Sequence, residues 1–296
     1  MSRTGIYSGF VVRVLAAVIG LNAVPGVALF AAPPRLGNAN QLQVETVKAW
    51  DEYIRSADSR MQARLDGRMP FLWMDESMDR SRRLGRGEIV VAPVLSHGTS
   101  RVPNGLIHDW IGGIFMPGAT IQRLSAVIQD YSKYKDFYRP VVIDSKLLTC
   151  TAMDQRFSML LLHKVLFITA AIEGEYQAHD VKVDSRHGYS VADSVQVQEI
   201  ENYGHAAQRL LPSGTGNGYI WRLHSIARYE ERDGGVYLEL EAIALTRDIP
   251  ASVRWLVNPV VNHLSTNSLV TTLQQTRDAV NSMPVKTEAD SLCSNR

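Results

Sequence analysis

The sequence predicts an α+β fold in which a curved antiparallel sheet wraps around one long C-terminal helix, with a helical extension ahead of it. Three observations point there. Residues 154–248 form a run of long extended segments broken by turn signals such as DSRHG, PSGTGNG and RDGG. A strand and two short helices precede that run, and the second helix stops in the aromatic stretch DYSKYKDFY before Pro140. The segment IPASVRWLVNPVVNHLSTNSLVTTLQQTRDAV, of helical period, closes it. A sheet that curves around a single helix encloses a cavity.

Composition sets the outer limits. The 296 residues are 45% hydrophobic and 21% charged, ample for a packed core. The net charge is +1 with no basic block, which argues against nucleic acid as a partner. Two cysteines, Cys150 and Cys293, are too few for a disulfide framework or a metal knuckle, and Cys150 reads as a small buried hydrophobe.

Residues 1–32 have the layout of a secretory signal peptide. Arg3 and Arg13 precede the apolar run VLAAVIGLNAVPGVALFAA, and small residues lead up to Pro33. Asn22 and Pro25 interrupt the run, which weighs against a stable membrane span, although an uncleaved anchor is the alternative. The mature chain is expected in the periplasm or secreted, with peripheral membrane contact left open.

Residues 33–100 read as a helical extension and linker. QLQVETVKAWDEYIRSADSRMQARL has helical spacing, with Val44, Val47, Trp50, Tyr53 and Ile54 on one stripe, as in a covering helix. The loop SHGTSRVPNG marks the start of the main domain, residues 101–283, and the polar tail 284–296 is expected to be disordered. LIHDWIGGIFM reads as a strand. Thr120 can then cap a helix with Ile121, Leu124, Val127 and Ile128 on one face. Tyr131, Tyr134, Phe137 and Tyr138 continue it as a short aromatic turn, and VVIDSKLLT returns as a strand. RFSMLLLHKVLFITAAIEGEYQAHDVKV holds one long strand or two.

The hairpin around RDGG shows the clearest alternation. Trp221, Leu223, Ser225 and Ala227 share one face, and Arg222, His224 and Arg228 share the other. In the returning strand Val236, Leu238, Leu240 and Ala242 oppose Glu239 and Glu241. One side of the sheet is thus dry and the other is a charged ladder, expected to face solvent. On that reading Leu223→Ala or Leu240→Ala costs about 2–5 kcal/mol, and Arg228→Ala under about 1 kcal/mol. In the final helix Trp255, Leu256, Val260, Leu264 and Leu269 fall at helical spacing, and Pro259 is expected to kink or divide it, making residues 255–264 a hinge for ligand access.

Motifs for catalysis are absent. The eight histidines show no HxxxH or HExxH spacing, so neither metal nor cofactor is expected. GTGNG lacks the Lys-Ser/Thr of a phosphate loop and opens a strand, which makes it a turn. No Gly-x-Ser-x-Gly occurs, and no catalytic residue is assigned. The candidates for an apolar cavity wall are Trp110, Phe115, Met159, Trp221, Leu223, Trp255, Leu256 and Val260. If the charged ladder is not merely solvated, Arg222, His224 and Glu241 are its candidates for a polar cavity end that orients a head group.

The segment GATIQRLSAVIQDYSKYKDFYRPVVIDSKLL resembles the opening of START-like (SRPBCC) domains, the superfamily of polyketide cyclases, lipid-transfer and coenzyme-Q-binding proteins. Asp130, Tyr131, Tyr134, Phe137 and Pro140 carry the resemblance, and the closing helical segment is similar to the final helix of such domains. It spans roughly residues 102–282. It implies a helix-grip fold that holds a hydrophobic small molecule such as a lipid, quinone or polyketide. Such folds host transfer, sensing and catalysis alike, so a cyclase or hydrolase, or a structural protein with a filled core, remain the alternatives. If residues 1–32 are a leader, N-terminal sequencing of exported protein will begin between Leu29 and Pro33. An intact Met1 in the membrane fraction would contradict it.

Overall fold

The hairpin turn that joins β9 (Arg222–Arg232) to β10 (Gly235–Arg247) sets the register of the sheet. Asp233 and Gly234 both have positive φ, 56° and 76°. A two-residue turn of that kind matches the right-handed twist of its strands. It places Arg228 opposite Glu239 and Ala227 opposite Leu240, so the two faces segregate as the alternation requires. In this computed structural model the described residues are 41–95, 98–151, 154–165, 168–248 and 251–283, with the backbone alone described for 164, 165, 168 and 251–264. The expected leader (1–32) and tail (284–296) lie outside them.

The other strands are β1 (Val90–Pro93), β2 (Thr99–Val102), β3 (Gly105–Pro117), β4 (Val142–Cys150), β5 (Asp154–Val165), β6 (Ile168–Lys182), β7 (His187–Glu201) and β8 (Arg209–Leu210). All pair antiparallel, in the order β1-β3-β10-β9-β7-β6-β5-β4, with β2 on β3 and β8 on β7. The ambiguous apolar run is therefore two strands, β5 and β6. Register shifts in the β4–β5 and β6–β7 pairs add local bend to the sheet. The sheet begins at Val90, ahead of the loop read as a domain boundary.

Among the described residues, five α-helices accompany it: α1 (Val44–Leu65), α2 (Met78–Gly85), α3 (Ile121–Ile128), α4 (Tyr134–Phe137) and α5 (Ala251–Ser282). Thr120 caps α3 by accepting from the Arg123 amide, and a 3₁₀ turn at Tyr131–Lys133 leads into α4. The aromatic knuckle is thus a tight reversal between two short helices. α5 runs through Pro259 undivided and lies against the concave face. Leu269, Leu273, Ala279 and Val280 pack with Ile114, Met116, Leu124, Val127 and Leu238. Gly112 permits the approach, since a Cβ there would lie 2.8 Å from Leu273 Cδ1. This is a helix-grip arrangement.

The convex face departs from expectation. It is covered by the N-terminal extension, so the charged ladder is buried rather than solvated. Trp50 and Ala57 of α1 pack on Ile107, Trp221, Ile243 and Leu245. Leu72, Met74 and Leu84, from the 3₁₀ turn Trp73–Glu76 and its flanks, pack on Phe115 and Tyr237. Beneath them Arg228, Glu239 and Glu241 are 1%, 0% and 5% exposed. The Arg228 guanidinium lies 3.2 Å from Glu241 and 3.5 Å from Glu239. Glu239 also accepts from the Trp73 and Met74 amides at 2.8 and 2.6 Å. Strand parity reveals which side chains share a face; it does not reveal what lies on top of them.

Cys150 is a second correction. It is disulfide-bonded rather than a lone buried hydrophobe. The other cysteine of the chain, Cys293, lies outside the described residues.

Arg228→Ala would remove the guanidinium shared by two buried carboxylates, and is expected to cost about 3–5 kcal/mol. Leu240 is only half-buried, so Leu240→Ala should cost less, about 2 kcal/mol. Urea melts that show the reverse order would overturn the assignment of a buried ladder.

Candidate functional site

Between the concave face and the helices lies a cavity of about 520 Å³. Its floor comes from alternate residues of the central strands: Leu223, Ser225 and Ala227 of β9, Leu238 and Leu240 of β10, Ser190 and Ala192 of β7. Alanine and serine at four of these positions leave volume that larger side chains would fill. Phe157, Met159, Leu161 and His163 of β5 and Tyr176 of β6 form one wall. Ile128, Tyr131, Tyr134 and Tyr138 of the knuckle close an end. The roof is α5, through Asn267, Ser268, Thr271, Thr272, Gln275 and Thr276. The helix leans its leucine face on β3 and turns an adjacent hydroxyl-rich arc to the cavity.

The aromatic end is ordered by stacking. Phe157 lies between Tyr131, at 4.0 Å and 10°, and Tyr176, at 5.2 Å and 20°. Tyr134 meets Tyr138 edge-on at 4.8 Å and donates to the Ile128 carbonyl. Tyr138 Oη pairs with Thr276 Oγ1 at 3.1 Å, tying the knuckle to the roof. The Tyr176 hydroxyl has no partner among the described residues. Asn267, Ser268 and Thr271 are exposed, so the cavity opens along that stretch of α5.

Burial governs its electrostatics. It raises the pKa of Tyr131, Tyr134 and Tyr176, pushes Tyr138 up to about 12, and lowers that of His163. Near neutrality these groups are therefore uncharged. Behind the wall, Asp180 accepts from Gln155 Nε2 at 3.2 Å, and burial raises its pKa also.

Of the apolar candidates, Met159 and Leu223 line this cavity. Trp110 is on the concave side but is packed into the neighbouring core. Phe115 and Trp221 do not reach it: Phe115 is on the convex face, stacked on Tyr237 at 4.3 Å, and Trp221 sits with Trp50 under α1. Trp221 precedes β9, where the alternation that grouped it with Leu223 does not yet hold. Trp255, Leu256 and Val260 are on α5, with side chains outside the described residues, as is the hinge expected at 255–264.

The polar candidates are corrected together. Arg222, His224 and Glu241 belong to the convex side and do not line the cavity. His224 Nδ1 is 2.7 Å from Asp193, and Glu241 is held by Arg60 of α1 at 2.9 Å and by Arg228. The residues that sequence reasoning missed are Tyr131, Tyr134, Tyr138, Phe157, Tyr176 and the α5 roof. The knuckle served there only as a mark of the fold. The spacing Thr271, Thr272, Gln275, Thr276, an uncharged polar arc beside the Leu269, Leu273 and Val280 stripe, is the signal the sequence offers.

No family model matches the sequence, and no curated protein matches it. Several solved structures are similar. A STAR-related lipid transfer protein fragment from Xanthomonas axonopodis aligns over 65% of this chain and 98% of its own, at 17% identity and a TM-score of 0.41. The Zhui aromatase/cyclase from Streptomyces aligns over 60% and 97%, at 13% identity and a TM-score of 0.39. Human STARD10 aligns over 69% and 79%, at 10% identity and a TM-score of 0.40. At such values the likenesses carry no argument about ligand or reaction.

The convex network yields a pH test. Asp109 is fully buried, accepts from Tyr53 Oη at 2.6 Å, and has Arg60 at 3.3 Å. Burial, with Glu241 nearby, raises its pKa to about 7. Its unfolded value is about 3.9, so between the two the native state binds the extra proton. The stability this contributes is full below about pH 4 and is lost as pH rises through about 7. Buried His108, lowered to about 4, has the opposite slope at acid pH, so the comparison must isolate Asp109. Relative to Asp109→Asn, the wild type should lose stability between pH 4 and pH 7 in parallel urea melts. A difference that is flat across that window would contradict the buried acid.

Proposed function

We propose that this chain binds a hydrophobic small molecule, such as a lipid, quinone or polyketide-like compound, in the cavity beneath α5, and that it does so outside the cytoplasm. The observation that carries the reading is the cavity itself. At about 520 Å³ it falls within the roughly 300–1,000 Å³ typical of small-molecule sites. Its lining is predominantly apolar and aromatic, with most of its polar side chains on α5 and a few, Ser190, Ser225 and His163, on the sheet. The START-like motif at Asp130, Tyr131, Tyr134, Phe137 and Pro140 supports the same reading, and the layout of residues 1–32 supports export. A cyclase or hydrolase would draw on His163, whose depressed pKa makes it a base near neutrality.

The test uses an uncharged naphthyl fluorophore with the wild type and with Ala227→Trp, which places an indole in the floor. The wild type should bind it, and the variant should bind at least about tenfold more weakly with an unchanged circular dichroism spectrum. Native mass spectrometry of exported protein should show a retained, chemically unaltered apolar compound. Failure to bind the fluorophore or any member of a lipid and quinone panel would favour a filled structural core.

A further inference from the structure

We infer that the ligand is an uncharged amphiphile, held with its apolar end against the aromatic stack and its hydroxyl- or carbonyl-bearing end at the α5 rim. The inference rests on the binding reading above and narrows it. Among the described residues that line the cavity, none is Asp, Glu, Lys or Arg. Its ionisable groups are His163 and four tyrosines, and burial holds each of them in its neutral form. Behind the wall, burial biases the Asp180 carboxyl toward protonation, which weakens it as a counter-charge for a cation, and it offers none to an anion. A carboxylate, phosphate or ammonium head group drawn inside would thus lose its hydration and find no described counter-charge.

The polar groups that do line the cavity suit a neutral ligand. Asn267, Ser268 and Thr271 stand at the exposed opening, and Thr272 and Gln275 follow one turn further in. Hydroxyls and amides of this kind both donate and accept, so they can replace the water around an alcohol, ketone or ester. At the far end, the rings of Tyr131, Phe157 and Tyr176 present an apolar surface; the Tyr138 and Tyr134 hydroxyls are already committed to Thr276 and Ile128, and the Tyr176 hydroxyl, without a described partner, is the polar exception. The gradient from polar rim to aromatic bottom orients the ligand.

The experiment is displacement of the naphthyl fluorophore by three compounds of one chain length, decanol, decanoate and decylammonium, at pH 7.5 and below their aggregation limits. Decanol should displace it at a concentration at least about tenfold lower than either ion. Thr271→Val with Ser268→Ala, at exposed rim positions of the roof, should weaken decanol several-fold more than it weakens the fluorophore, so that the ratio of the two affinities shifts. If the fluorophore binds but either ion competes as well as decanol, the ligand class is wrong and the cavity reading stands. If the rim variant leaves that ratio unchanged, the placement of the polar end is wrong. If the fluorophore itself does not bind, the binding reading falls.

Discussion

The buried ion network on the convex face is the constraint on which the rest of the structure depends. Arg228, Glu239 and Glu241 project from the middle of the sheet, where charges without partners would be prohibitive. Arg60 of α1 and the amides of Trp73 and Met74 complete their coordination. Such networks add little net stability, because desolvation offsets attraction. Their effect is to require one docking arrangement, since any shift of α1 or the 3₁₀ turn would orphan a charge. The extension is therefore part of the fold's foundation. It closes over the convex side, and sheet curvature leaves the cavity on the concave side.

That space persists because α5 divides its surface between two tasks. Leu269, Leu273 and Val280 settle into β3, where Gly112 lets the helix come close. The adjoining Ser/Thr arc is then held over β5, β7 and β9, whose inward positions include Ser190, Ala192, Ser225 and Ala227. Neither surface can fill the gap. The knuckle seals one end and is bound to the roof through Tyr138 and Thr276, so the cavity has rigid aromatic walls and a polar edge. A ligand would meet a largely preformed site, with little ordering cost in the sheet.

Much of the fold was legible in the sequence because it depends on local signals. The RDGG turn, the Thr120 cap, the knuckle and the two-residue alternation each encode a single element, and their order allows few topologies. The site was less legible. Alternation correctly placed Leu223 with Ala227 and Leu240, and Arg228 with Glu239, but it cannot show that α1 covers the second set. Arg222, His224 and Glu241 were thus misread as cavity or solvent groups, when Glu241 is fixed from more than a hundred residues earlier, by Arg60, and His224 by Asp193 on the neighbouring strand β7. Trp221 and Phe115 failed for a related reason: a large aromatic fits either side of a two-sided core.

The most direct test of this two-sided account is methyl NMR of isotope-labelled protein titrated with the naphthyl fluorophore. Met159, Ala192 and Ala227 line the cavity, whereas Ala57 and Met61 lie buried on α1, away from it. The account predicts that the first three methyl signals shift with the ring current of the bound probe and that the other two stay in place. Shifts at Ala57 and Met61 without shifts at Met159 and Ala227 would place the binding site under the extension, and would contradict it.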